Sequence, residues 1–492
     1  MSVVPILFED HLVSSFRPMA WSVPLFEIRC GLFNTRERVE LSLAGPGMGS
    51  PEGTLIGGFL SRSLFAELHT SPNWTADPVV IKRDLLARDN RILLLNGRIA
   101  ARYDILERFL GAEQTCPDFA IFDGQGLIGA LLSSDKAAKV IEAWVAWEQD
   151  ADKSGAWKWS GISPGPWKLP GVVAGSEYID LGKGFSLWDG DTALEGDLRN
   201  WVAGSRPLTY EWIWDIVPGT PSAIEEDLAA VVGVSGWRRF PFGIFPEPSS
   251  VGPAWAGTVE LFPGKVPERV HVTDPSRFWT GSGVRIGPAL AVDTQSGPVI
   301  LDRGVVVQPH VYLEGPLYVG PGSVIKAGAR LYGESSFGIE NRLAGEIGES
   351  TFSDFANKQH AGFIGHAVLG AWINLGAMTT CSDLKNNYGN IRVDLGEGPV
   401  ETGQRFIGLM MGDHAKTAIG TLFNTGTSVG FASNIFGGGM PPKLVGNFSW
   451  GGEAESPLYA VDKALETAAT VMTRRGCLLT GSHRELFSAL AE

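Results

Sequence analysis

Residues 301–340 read LDRGVVVQPHVYLEGPLYVGPGSVIKAGARLYGESSFGIE. Leu301, Val307, Leu313, Val319, Ile325, Leu331 and Phe337 recur at intervals of six. A second row, offset by four, holds Val305, Val311, Leu317, Ser323, Ala329 and Ser335. Neither the helical period of 3.6 nor the strand period of 2 yields this spacing. A chain wound as a triangular prism does. Each six-residue unit is then one short parallel strand plus a turn, and its aliphatic residue points inward onto the coils before and after it. The stretch predicts a parallel β-helix.

The pattern fades in both directions. The first row resumes at Leu369, Leu375 and Cys381, and again at Ile407, Ile419 and Thr425. Between these blocks SDLKNNYGN (382–390) is polar and out of register, and it reads as a loop thrown out of the prism. Such loops are frequent carriers of function. Ala454–Arg474 has an amphipathic helical pattern and is expected to pack on the last coil. Before the hexads, residues 246–280 are rich in Pro, Gly and Ser and read as a connector.

Residues 1–245 read as α/β. Apolar runs at Val3–Phe8, Ile92–Asn96, Phe119–Phe122 and Leu127–Leu132 alternate with helical patterns at Tyr103–Leu110, Ser134–Asp150 and Trp212–Val232. Asp123-Gly124-Gln125-Gly126 is a hairpin signal. Buried strands between helices imply a mostly parallel sheet covered by helices. The expected organisation is an α/β domain over 1–245, a linker over 246–280, a β-helix over 281–452 and a helical tail over 453–492.

The bulk numbers narrow the function. With 40 basic and 54 acidic residues the net charge is −14, and no basic stretch would neutralise phosphates of a nucleic acid. No run of 18 apolar residues suits a membrane span. MSVVPILFEDHL reads as a first buried strand rather than a signal peptide. Cys30, Cys116, Cys381 and Cys477 form no CxxC pair, so a reduced, cytoplasmic setting is expected.

Several segments carry a resemblance. They are NKQHAGFIGHAVLGAWINLGA (357–377), SDLKNNYG (382–389), GLMMGDHAKTAIGTLFNTGTSVG (408–430) and PPK…FSWGG (441–452). FEDHLVSSFRPMAWSVPLFEIRCG (8–31) and LLLNGRI (93–99) add to them. Together they resemble bacterial sugar nucleotidyltransferases with a C-terminal left-handed β-helix. These are relatives of the bifunctional N-acetylglucosamine-1-phosphate uridyltransferase / glucosamine-1-phosphate acetyltransferase, and the likeness is to a variant branch of that family. Left-handedness comes from the resemblance alone, since parallel crossovers are right-handed in about 98% of cases.

The resemblance implies an acyl-coenzyme A-dependent acyltransferase site on the β-helix, with acetyl-CoA as co-substrate and an amino-sugar phosphate as acceptor. His360 falls at the position of the family's active-site histidine, where it would serve as general base. Lys358, Asn374, Lys385, Asn386, Asn387 and His414 would contact substrate or coenzyme A. His366 and His310 are read as corner or core residues. Phe363 stands where the classical enzyme has a tyrosine, which removes a hydroxyl donor.

For nucleotidyl transfer the resemblance implies a nucleoside triphosphate such as UTP or dTTP, and Mg²⁺. Here Val3–Phe8 is followed by Glu9-Asp10-His11 without the family's glycine-rich loop, and Gly97-Arg98 replaces its metal-holding Gly-Asp. Arg17, Arg29 and Arg98 are candidate phosphate contacts, and Asp10 is the nearest remaining carboxylate for a metal. Three readings follow: a bifunctional enzyme making a nucleotide-activated N-acyl sugar, an acyltransferase with a binding-only N-terminal domain, and a non-enzymatic scaffold. The resemblance also implies a homotrimer with shared acyltransferase sites. Trp372 is read as an exposed apolar residue on the coils.

Overall fold

The computed structural model describes residues 3–44, 57–62, 65, 74–86, 90–110, 118–123, 126–153, 179–182, 185–188, 208–232, 261–263 and 266–491. Apolar runs dictate the N-terminal sheet. β1 (Val3–Phe8), β2 (Gly57–Leu60), β3 (Trp74–Thr75), β4 (Arg91–Asn96), β5 (Phe119–Asp123), β6 (Gly126–Ser133), β7 (Ile179–Gly182) and β8 (Phe185–Trp188) line up in the order β3-β2-β1-β4-β6-β5-β8-β7. Along β4, side chains alternate between two cores. Ile92 and Leu94 meet Val140, Ile141 and Trp144 of the helix Ser134–Lys153, while Leu93 and Leu95 meet Ile105, Leu106 and Phe109 of the helix Tyr103–Leu110.

The sheet is mixed rather than mostly parallel. β1, β2, β3 and β4 pair in parallel, but β6, β5, β8 and β7 extend the sheet antiparallel. Only two residues separate β5 from β6, too few for a parallel crossover. Those two, Gly124 and Gln125 of the expected hairpin turn, lie outside the described residues, as does Cys116.

The hexads form the expected left-handed parallel β-helix. Val299, Leu317 and Ser335 pair in register at steps of one coil. Every residue of the first row from Leu301 to Phe337 is buried in one continuous core, which runs on through Leu369, Leu375 and Cys381. The ladder starts earlier than residue 281. Strands His271–Val272 and Phe278–Gly281 already belong to it, inside the span expected to be linker, and Leu261–Pro263 adds an antiparallel edge to Phe278–Gly281. Residues 246–260 of that linker lie outside the described residues.

The inward frame slips before the excursion, where Leu343, Ile347 and Phe352 follow one another at four and five residues, and after it the row of Leu369, Leu375 and Cys381 resumes unchanged. Met411, Thr417, Phe423, Val429 and Ile435 are the buried hexad positions, and Ile419 stands 80% exposed on a corner. The excursion itself forms a hairpin, Arg392–Asp394 with Pro399–Glu401. Its Ile391, Val393 and Leu395 join Val13, Phe16, Met19 and Ile213 of the N-terminal domain in one apolar cluster. The helix Ile216–Val232 seals a second seam by packing against the β-helix strands Leu317–Val319, Ser335–Phe337 and Thr351–Phe352. Ser336 Oγ donates to the Gly31 carbonyl at 2.5 Å across that seam.

Corner residues stack in columns, many with a left-handed backbone. Phe355, Trp372, His414, Ala432 and Phe448 share one column at φ near +60°, linked by backbone hydrogen bonds from coil to coil. This column is covered. The C-terminal helices Val461–Thr473 and Gly481–Ala489, both within the expected helical tail, lie over it. Trp372 is therefore 1% exposed, stacked on Phe355 at 4.0 Å, and not the exposed residue expected.

His414 and His483 are buried beneath this cap as neutral rings. Burial pushes the pKa of His414 well below the usual histidine range and that of His483 down to about 4. Below about pH 6.5 the unfolded chain takes up protons that the folded chain refuses. Stability is therefore lost as pH falls from about 6.5 towards 4, by on the order of 2 kcal/mol for one such group. His483 Nδ1 accepts from the Thr480 N–H at 3.1 Å. A glutamine at this position preserves that cap. His483→Gln is expected to flatten the dependence of the urea midpoint on pH between 7 and 4.5, whereas an unchanged slope would remove His483 from the account.

Candidate functional sites

The acyltransferase candidates sit on coil corners. The strand Asn357–Lys358 ends one face and Phe363–Gly365 begins the next, which leaves His360 exposed on the turn between them. Lys358 is buried and holds the turn by donating from Nζ to the carbonyls of Ala344 at 3.0 Å and His360 at 2.8 Å. Burial lowers its pKa to about 8. Asn357 donates through its side-chain amide to Asn374, one coil above it. The structure thus gathers Lys358, His360 and Asn374 on neighbouring turns of the same prism. The His360 ring has no hydrogen-bond partner among the described residues.

The other candidates go elsewhere. Asn386 and Asn387 are exposed, and Asn387 Oδ1 accepts only from the Gly389 N–H of its own turn. Lys385 donates to the Asn390 carbonyl and lines a cleft of about 490 Å³ with Arg392, Asp394, Glu401 and Lys443. None of Lys358, His360 or Asn374 lines this cleft. The tip of the excursion is turned away to the N-terminal domain, where its apolar residues are buried. His414 is corrected outright. Its ring is packed against Trp372, Phe431 and Phe487, with centroids 6.2, 5.7 and 5.2 Å away, so it is a packing residue beyond reach of a ligand.

Sequence reasoning missed one pair. His366 Nδ1 lies 2.8 Å from Asp383 Oδ2 and 4.0 Å from Glu349 Oε2, with Phe406 stacked on the ring at 5.0 Å. His366 lies on a different corner column from His360. Asp383 is 17 residues further on, about one coil, so the hexad count itself could have revealed the pair.

The N-terminal candidates are all engaged within the protein. β1 ends in two buried carboxylates instead of a glycine-rich loop. Glu9 accepts from the backbone of Leu25 and Arg62 and from the Arg62 guanidinium. Asp10 caps the 3₁₀ helix His11–Phe16 and binds Arg98. Arg17 is buried, lies 4.3 Å over the Trp21 ring and pairs with Glu397 of the excursion at 3.2 Å. Burial draws its pKa down to about 10 against the pull of Glu397. Arg29 donates to the Leu32 carbonyl and pairs with Glu37 and with Asp354 of the β-helix. Both arginines tie the two domains together and neither is offered to a phosphate.

Arg98 is the clearest correction. Parallel pairing of Phe8 with Asn96 brings the ends of β1 and β4 side by side. Arg98 Nε and Nη2 then donate to Asp10 Oδ2 at 2.9 and 2.8 Å, and Nη1 donates to the Tyr210 carbonyl at 2.9 Å. Nη2 also reaches Asp123 Oδ2 at 3.4 Å. Asp10 receives further hydrogen bonds from the Leu12 N–H and the Asn96 amide. Burial alone would raise the Asp10 pKa, but the charge and hydrogen bonds of Arg98 hold it below the usual carboxylate range. With every oxygen of Asp10 engaged, the residues do not fit Mg²⁺. Among the described residues no group of three or more His, Cys, Asp or Glu is placed to hold a metal.

This geometry can be set beside known proteins. Residues 5–152 match the family model for sugar nucleotidyl transferase. The chain is also similar to a bifunctional sugar-1-phosphate nucleotidylyltransferase/acetyltransferase from Sulfurisphaera tokodaii, at 26% identity over 156 residues. That match covers 30% of this chain and 38% of the relative's length. No helix among the described residues is long and apolar enough to cross a membrane.

Asp10→Asn strands a buried guanidinium. It is expected to cost about 3–5 kcal/mol of stability in urea denaturation, while Asp10→Asn combined with Arg98→Met should recover at least half of that loss. A double variant no more stable than the single one would mean that the stranded charge is not what destabilises Asp10→Asn.

Proposed function

We propose that the chain is a transferase that acylates an amino-sugar phosphate or nucleotide-linked amino sugar on its β-helix, with an N-terminal domain of sugar-nucleotidyltransferase fold that handles the nucleotide end. Acetyl-CoA is the proposed donor. The observation that carries this reading is the β-helix itself, following a domain whose segment 5–152 matches the sugar nucleotidyl transferase family. The relative's name joins the same two activities in one protein.

His360 is the proposed base. It takes the proton from the acceptor nitrogen as that nitrogen attacks the thioester carbonyl. The C–S bond then breaks, and the proton returns to the departing thiolate. His360 stands on an uncovered corner column, with Met378 56% and Ile419 80% exposed on the coils above. An open histidine beside apolar residues fits a homotrimer in which a neighbouring copy supplies the missing partner for the ring. A second reading has its own support. His366 already possesses an orienting carboxylate, the arrangement that fixes a histidine's tautomer.

One assay separates them. The full-length protein is given acetyl-CoA and glucosamine-1-phosphate, and free thiol is followed. His360→Ala is expected to lower turnover ~10²–10⁴-fold with the oligomer intact, and His366→Gln to lower it less than about tenfold. The reverse pattern would move the base to His366. Turnover unchanged in both variants would refute a histidine base on this prism.

A further inference from the structure

The knot at the ends of β1 and β4 has the make-up of a cation site that is already filled. Two carboxylates, Asp10 and Asp123, and the Tyr210 carbonyl converge on one positive centre. Hard oxygen donors of this kind suit a divalent metal. Here the centre is the guanidinium of Arg98, 0% exposed at its side chain and attached to the chain itself. A guanidinium stays charged at any pH a protein survives and cannot exchange with solvent.

The sequence places this cation deliberately in one respect. Arg98 follows Gly97, and a Cβ on Gly97 would lie 2.8 Å from the Phe26 backbone nitrogen. The strand end must therefore run tight against the 3₁₀ helix Leu25–Glu27, and this sets the direction in which residue 98 projects. Asn96 completes the arrangement. Its amide donates to Asp10 at 2.8 Å and its Oδ1 accepts from the Arg98 N–H at 2.9 Å.

We infer that Arg98 is a built-in substitute for a divalent cation, so that the N-terminal domain takes its phosphate-bearing ligand without any metal at Asp10 and Asp123. The inference rests on the nucleotide-handling reading of this domain. Its chemical consequence is direct. A metal ion can bind protein carboxylates and phosphate oxygens at once. The Arg98 guanidinium spends its hydrogen bonds on Asp10, Asp123 and Tyr210, so it bridges nothing to a triphosphate. Charge at the phosphates must come from other groups.

Mn²⁺ is the probe, followed by electron paramagnetic resonance on the full-length protein. Wild type is expected to bind no equivalent below roughly 100 µM, a level at which a working metal site would be filled. Arg98→Asp removes the guanidinium and adds a third carboxylate. It is expected to bind about one equivalent and to gain roughly 5 °C in Tm with Mn²⁺. Arg98→Ala, which only frees Asp10 and Asp123, is titrated in parallel in case the aspartate variant does not fold. Wild-type binding that Asp10→Asn abolishes would overturn the inference, and so would two folded Arg98 variants that gain no Mn²⁺. A third arm measures binding of UTP, dTTP and a UDP-sugar in EDTA and in Mg²⁺. Binding only with Mg²⁺ overturns the metal substitution. No binding in either buffer overturns the nucleotide reading, and the substitution with it.

Discussion

A coil of this prism can bury its aliphatic residues only against the coils before and after it. The rest of the structure depends on that constraint. It fixes the register of successive strands, so the flat faces are rigid and their residues are spent on the ladder and core. Freedom is left at the corners and in the departures from them. The exposed His360, the His366–Asp383 pair and the covered aromatic column all stand on corners. The one long departure must return to the stack, and it does so in the frame it left, Met411, Thr417 and Phe423 continuing the row of Leu369, Leu375 and Cys381.

The same departure joins the two halves. Its hairpin buries Ile391, Val393 and Leu395 in the N-terminal domain, and Glu397 meets Arg17 there. Arg29 reaches back to Asp354, and the helix Ile216–Val232 lies along the prism. Ion pairs whose arginines are buried repay little of the desolvation cost, but they leave few alternative ways to dock. The arginines at the start of the chain therefore position domains, and the domain's own cation, Arg98, is locked into its strand ends.

Much of the fold was legible because hexad position reports burial directly. Leu301 through Phe337 point inward as their spacing demands. The limit is equally physical. Spacing says whether a residue faces the axis, not whether something else covers the outside, so the C-terminal helices above Trp372 and His414 decide what those two residues do. Ile419 differs for another reason: its row starts at Ile407, which packs with the excursion against the N-terminal domain, whereas the count from Cys381 runs on to Met411, Thr417 and Phe423. At the sites, Lys358, His360 and Asn374 are close in sequence or one coil apart, and their grouping could be read. The pair of Arg98 and Asp10 spans 88 positions and exists only because β1 and β4 lie in parallel register. Single residue types gave no hint of it, and a phosphate contact was the natural guess for a lone arginine.

The central claim is a division of labour: acyl transfer on the corners of the prism, and an N-terminal domain whose metal position is closed. The most direct measurement gives the wild-type protein acetyl-CoA with an amino-sugar phosphate in one arm, following thiol. The other arm supplies UTP or dTTP with a sugar-1-phosphate and Mg²⁺, following pyrophosphate. The account predicts thiol release and no Mg²⁺-dependent pyrophosphate. Pyrophosphate that appears with Mg²⁺ and disappears with EDTA would contradict it, and so would the absence of thiol release.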